Sequence, residues 1–329
     1  MIEQYLAYGI WVAIVFIIAG FVALVKGADW LVDGASSIAK NFGISDLVIG
    51  LTVVAFGTSM PEFVVNMVSV AEGTTDLAIT NILGSNIINT FVILGLTALV
   101  YPVASQKRSR DFDIPLSIVA GVMVIVFVAI QLPIGEDMRG IGRIGGATLL
   151  AFFCYFLYNT FRHAKDHPEE TDAEAVKLIP TRRAIALILG GFVGLVVGGE
   201  LIVKSAVDIA TRMGVSEAII GLTIVALGTS LPELATSVIA ATKHNSDIAL
   251  GNVIGSNIFN VFFVLGVSAT VRPLPAYQGI ELDAIMAALG SIIVWLAIKS
   301  NKERKIQRWA GALLLLVYVG YLTYRLLQV

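Results

Sequence analysis

Gly57-Thr58-Ser59-Met60-Pro61-Glu62 places a carboxylate, two hydroxyls and a helix-breaking proline inside the otherwise apolar stretch from Leu47 to Val70. Gly228-Thr229-Ser230-Leu231-Pro232-Glu233 repeats the pattern in the second half of the chain. An acid at the depth of a membrane span has to be hydrogen-bonded, protonated or bound to a cation, because an unpaired charge in hydrocarbon is costly. Glu62 and Glu233 are therefore the leading candidates for working groups.

The membrane setting follows from composition. Hydrophobic residues make up 57% of the 329 positions and charged residues 14%, with a mean hydropathy of +0.86. That balance marks an all-α integral membrane protein and excludes an ordinary soluble domain. A net charge of −2 gives no reason to expect nucleic acid. The expected partners are membrane lipid and small inorganic cations. Cys154, the single cysteine, cannot form an intrachain disulfide and reads as a small packing residue in an apolar run. Residues 1–9 carry no Lys or Arg, and no small-residue cleavage site follows, so the first apolar run is read as a retained span.

Ten apolar runs have spanning length, at about 7–25, 47–70, 77–101, 114–132, 144–161, 184–203, 218–241, 248–271, 284–298 and 310–324. The first and sixth extend in helix-compatible sequence to Lys40 and Arg212, which suggests tilt or an interfacial turn. A displacement of 171 residues aligns Gly27 to Pro102 with Gly198 to Pro273 without a gap, with roughly two in five positions identical. The chain is thus expected to hold two five-helix units, residues 1–162 and 184–329. Five is odd, so the second unit enters the membrane from the opposite side, an inverted-topology repeat. The polar stretch 163–183 joins them as a linker of little fold. With the termini outside and the linker cytoplasmic, Lys and Arg show about a threefold excess inside. The expected location is a cell membrane, and one chain carries both halves of the site, so a monomer suffices.

Taken as helix, the hexapeptide projects Thr58, Ser59 and Glu62 from one face, and Pro61 deprives the Gly57 carbonyl of its donor. The following segment adds Asn81, Ser85 and Asn89 at spacings of four, matched by Asn252, Ser256 and Asn260. Two such stripes facing two kinked acids make a cage of hard oxygen ligands, the set that calcium takes. Cys154 stands alone and His163, His167 and His244 are expected in loops, so no soft ligand competes. Ser, Thr and Asn in membrane helices also serve simply to bond across helices, and that reading stands beside the first. Gly190, Gly194 and Gly198 read as a close-packing surface. Lys26, Asp29, Asp33, Glu200, Lys204 and Asp208 read as snorkelling or mutually paired groups near helix ends.

The paired Gly-Thr-Ser-x-Pro-Glu and Gly-Ser-Asn-Ile-x-Asn segments, the latter at Gly84–Asn89 and Gly255–Asn260, resemble the two alpha repeats of the sodium/calcium exchanger family. The resemblance covers nearly the whole chain. It implies ten helices in inverted halves and a secondary antiporter with alternating access to a central site. Sodium and calcium are its cargo, and it has no cofactor. Carried over by position, its ion ligands are Thr58, Ser59, Glu62, Ser85 and Asn89, then Thr229, Ser230, Glu233, Ser256 and Asn260, with the carbonyls of Ala55 and Ala226. Asn260 stands where many prokaryotic relatives and the potassium-dependent branch carry Asp, which implies two carboxylates in place of three. Calcium/proton antiport, or antiport of another divalent cation, is the alternative within transport, and a cation channel is the alternative from a different class. An intramembrane enzyme is disfavoured, because no span is expected to hold a His that could activate Ser59.

Overall fold

The computed structural model describes residues 9–129, 139–166, 179–214 and 226–327. Its first half contains helices α1 (Ile10–Phe42), α2 (Asp46–Thr58), α3 (Met60–Glu72), α4 (Thr75–Val100), α5 (Ser109–Ala129) and α6 (Arg143–Asp166), with strands β1 (Val103–Ala104) and β2 (Gly140–Ile141). The second half contains α7 (Thr181–Arg212), α8 (Ala226–Thr229), α9 (Leu231–Thr242), α10 (Ser246–Val271), α11 (Ile280–Ser300) and α12 (Arg308–Leu326), with β3 (Leu274–Pro275) and β4 (Lys305–Ile306). Among the described residues, eight helices are long and apolar enough to cross a membrane. Together α2 and α3 make a ninth span, bent by 44°. The apolar run at 218–241 is described only from residue 226, as α8 and α9.

Local chemistry sets the helix ends. Ser45 caps α2 and Asn245 caps α10, accepting from the N–H of Val48 at 3.2 Å and of Ile248 at 3.0 Å. α1 stops at Gly43, whose left-handed φ of 63° returns its N–H to the Ala39 and Lys40 carbonyls. The long first and sixth helices expected from the sequence are present, ending at Phe42 and Arg212. α6 continues to Asp166 and α7 begins at Thr181, so the described ends of the 163–183 stretch are helical, and 167–178 lies outside the described residues.

The two halves interlock. α1 and α7 run antiparallel, with Gly20 against Gly198, Gly27 against Gly191 and Gly194, and Gly34 against Ala184. A Cβ on Gly27 would lie 2.7 Å from the Leu195 nitrogen, and one on Gly198 2.7 Å from the Gly20 carbonyl oxygen. Small residues here let two backbones touch, the usual means of helix association in lipid. Gly190 differs: it faces the Trp30 ring at ordinary contact distance, while its neighbour Gly191 makes the close approach. β1 pairs antiparallel with β4, and β2 with β3, so each ladder joins one half to the other.

α4 and α10 lie at the centre. Around them Phe91, Ile82, Ile254 and Phe262 form the main core with α5, α6, α11 and α12. A smaller cluster, with Leu31, Val54, Leu195 and Ala240, joins α1, α2, α7 and α9. The periphery is apolar too: Trp11, Val15, Leu189 and Val193 are exposed, a surface suited to lipid.

Three expectations are corrected. Cys154 is exposed on α6 and is not a packing residue. His163 belongs to the last turn of α6 instead of a loop, His167 lies outside the described residues, and His244 does occupy a turn, with φ 58°. Pairing near the helix ends is not confined to the helices themselves. Lys204 pairs with Glu200 at 2.6 Å and Arg212 with Asp208 at 2.7 Å, but Asp29 and Asp33 both take Lys243, each at 2.6 Å, from the turn after α9.

Gly27→Ala should destabilise the protein by about 1–3 kcal/mol, because the backbone of α7 cannot yield to the new methyl group. Gly84→Ala, where a Cβ meets nothing within 4 Å, should be neutral or slightly stabilising. Thermal unfolding of the two purified variants in detergent checks the contrast.

Candidate cation site

The hexapeptide breaks its span. Instead of continuing as a kinked helix, the chain ends α2 at Thr58, turns at Ser59 (φ −86°, ψ 7°) and restarts at Met60. Pro61 therefore sits in the first turn of α3, where a missing N–H costs nothing, and Glu62 sits beside the positive end of that helix. Ser230 (φ −89°, ψ 6°), Pro232 and Glu233 repeat the arrangement at the start of α9.

Each glutamate is fully buried and is held by both repeats. Ser59 donates to Glu233 Oε1 at 2.8 Å, and Ser230 donates to Glu62 Oε1 at 3.4 Å. Ser85 reaches Glu62 Oε1 and Ser256 reaches Glu233 Oε1, both at 3.4 Å. All four hydroxyls thus converge on one oxygen of each acid. The other oxygens, Glu62 Oε2 and Glu233 Oε2, are buried without a hydrogen-bond partner, and so are Asn89 Oδ1, Asn260 Oδ1 and Thr229 Oγ1.

The remaining candidates stand differently. Thr58 gives its hydroxyl to Asn252 Oδ1 at 3.0 Å and more weakly to the Ala55 carbonyl at 3.4 Å. That carbonyl also accepts the Ser59 N–H at 3.1 Å, within the helix. Ala226 begins α8. Asn81 and Asn252, expected to line the site, instead brace it. Asn81 donates to the Glu62 carbonyl at 3.4 Å and to Asn66 at 2.8 Å, while Asn252 donates to the Glu233 carbonyl at 3.3 Å and to Ser237 at 2.9 Å.

Sequence spacing missed Asn66, Thr90, Ser237, Asn86 and Asn257. The last two were visible as the repeated Asn of Gly-Ser-Asn-Ile, but a spacing of four gave them no face. It also missed the π-helical turns at Ile88–Ile93 and Phe259–Leu265, which shift the register through Asn89 and Asn260.

Chemically this is an acceptor cluster with a deficit of donors. Buried acceptors are normally partnered, so four without a donor among the described residues, one from each glutamate and the amide oxygens of Asn89 and Asn260, call for a positive group. Two acids with hydroxyl and amide oxygens suit a hard cation. Among the described residues no group of three or more His, Cys, Asp or Glu forms a metal cluster, so neutral oxygens must complete any shell here. A cavity of about 470 Å³ is bordered by Pro61 and Val64 of α3, Gly199 and Val203 of α7, and Thr229.

The family pattern described as Sodium/calcium exchanger protein matches residues 12–162 and 183–327. The chain belongs to the sodium/calcium exchanger family. It is 32% identical to sodium/calcium exchanger MaX1 of Methanosarcina acetivorans, over 93% of this chain and 96% of that one. It is 36% identical to inner membrane protein YrbG of Escherichia coli, over 79% and 80% of the two chains. A solved structure of the sodium-calcium exchanger NCX_Mj superposes with a TM-score of 0.80 at 32% identity, covering 94% of this chain and 98% of that one. This exchanger is therefore a multi-pass membrane antiporter and not an enzyme.

If these oxygens receive calcium, the ion should stabilise the purified exchanger, by about 2.7 kcal/mol at a hundredfold excess over Kd. The expected outcome is a calcium-dependent rise in Tm that a chelator reverses. Glu62→Gln and Glu233→Gln should each lose most of the rise.

Proposed function

We propose that this exchanger moves calcium against sodium across a cell membrane by alternating access at the Glu62–Glu233 site. The observation that carries the reading is the set of buried acceptor oxygens with no donor among the described residues: one from each glutamate, with the amide oxygens of Asn89 and Asn260. Two carboxylates balance one calcium ion. Sodium prefers the same hard oxygens, so loading one species excludes the other and couples their flows. The similarity to MaX1 and NCX_Mj, both sodium/calcium exchangers, favours the same cargo. Thr58, Ser59, Ser85, Ser230 and Ser256 complete the ligand set in this reading, together with the Ala55 and Ala226 carbonyls.

The topology belongs to the same proposal. Ten spans form two inverted five-helix halves, residues 1–162 and 184–329, with the termini outside and the 163–183 linker in the cytoplasm. The antiparallel packing of α1 on α7 and the strand pairs crossing between the halves support it. Access alternates as the α1–α7 pair moves against the site. In favour of this, equivalent positions differ between the halves. Lys243 ties Asp29 and Asp33 of α1 to the turn after α9. The corresponding residues of α7, Glu200 and Lys204, pair with each other beside the open cavity.

In proteoliposomes an imposed sodium gradient should drive calcium uptake, and Glu62→Gln or Glu233→Gln should reduce it to background. Near-normal exchange in both variants would sink the assignment. A pH gradient without sodium should fail to drive calcium; uptake as fast as with sodium would move the coupling ion to the proton.

A further inference from the structure

Asn89 and Asn260 have amide oxygens without donors, and the reason lies at their other ends. The Asn89 amide nitrogen donates to Asn257 Oδ1 at 3.2 Å, and the Asn260 amide nitrogen donates to Asn86 Oδ1 at 3.1 Å. Each contact joins one repeat to the other at positions displaced by 171 residues, so the two are mirror images. A side-chain amide has a donor end and an acceptor end in fixed opposition. Holding the nitrogen against a neighbour therefore turns the oxygen away from it.

The holders are themselves held. Asn86 donates its own nitrogen to the Asn257 carbonyl at 3.1 Å, and Asn257 donates its nitrogen to Thr90 Oγ1 at 2.7 Å. Position 261, equivalent to Thr90, is Val, so the second repeat offers no hydroxyl and Asn86 uses backbone instead. With their nitrogens committed, both holders present only an acceptor to the next amide. All four side chains are buried, Asn89 and Asn260 completely. A carboxylate at 260 would set acceptor against acceptor at Asn86, so the relay suits the neutral amide that this chain carries.

We propose that Asn86 and Asn257 are positioning residues that fix the side-chain oxygens of Asn260 and Asn89 toward the cation. They set the calcium affinity of a site whose carboxylates, among the described residues, are Glu62 and Glu233. The proposal rests on the cation-site reading above and extends it to residues that touch no ion. Residues that orient metal ligands typically change affinity by about tenfold or more when removed.

The test is a double-mutant cycle read by calcium titration of purified protein and by calcium-dependent flux. Asn86→Ala should raise the calcium half-saturation by about tenfold, with the maximal flux nearly unchanged. Added to Asn260→Ala, the same change should move the half-saturation by less than about twofold, since the amide it orients is gone. An equal loss in both backgrounds, or no loss in either, would overturn the positioning role while leaving the site intact. Failure of the unmutated protein to bind calcium would overturn the site reading itself. If Asn86→Ala does not fold, Thr90→Val with and without Asn89→Ala reads the mirror relay under the same criteria.

Discussion

Two carboxylates held at membrane depth, with too few donors to satisfy them, are the constraint on which the rest of this structure depends. Hydrocarbon offers nothing to solvate a charge, so the neighbours of Glu62 and Glu233 have to contribute to their solvation. Two serines approach one oxygen of each acid, and the other oxygen of each has no hydrogen-bond partner among the described residues. The breaks at Ser59 and Ser230 put each acid in the first turn of a helix, where the backbone dipole favours negative charge. Non-helical backbone is tolerated at such depth only where protein surrounds it, which places these breaks against α4 and α10 and away from the lipid-facing surface.

The duplication matters because neither half makes a site alone. Ser59 belongs to the first repeat and serves the glutamate of the second, while Ser230 does the reverse. Asn89 and Asn260 are oriented across the same boundary. A pair of equivalent halves could close on the site from either side in the same way, yet the described structure is not symmetric. Lys243 binds two aspartates of α1, whereas its counterpart in the first half is the acid Glu72, and Glu200 of α7 pairs with Lys204 beside a cavity. Divergence of a few charges on a common frame is enough to make two related interfaces unequal.

The α1–α7 pair is built to a different rule. Its interface is backbone against backbone, made possible by Gly20, Gly27, Gly191, Gly194 and Gly198, and it carries no hydrogen-bonding function for the site. Packing of this kind keeps two long helices together as one body. Gly57 and Gly228 bring the hexapeptides close to that body: a Cβ on either would collide with Phe192 or Val203 of α7.

Much of this was legible in residues 57–62 and 228–233 before any coordinates. An acid beside a proline in an apolar run, found twice at one displacement, points to a membrane protein, a duplicated frame and two buried glutamates as candidate working groups, because burying charge twice has no cheap structural explanation. The serines and asparagines were legible as oxygen donors for the same reason. Their assignments were not. Spacing along one helix cannot tell that Ser59 serves the opposite repeat, that Asn81 and Asn252 brace carbonyls, or that Asn86 and Asn257 direct other amides, since each depends on a partner about 15 to 170 residues away. Nor does a period of four anticipate the π-helical turns that re-aim Asn89 and Asn260. Which oxygens remain without a donor was decided by tertiary structure alone, because a hydrogen-bond deficit is a property of the packed assembly and not of any segment.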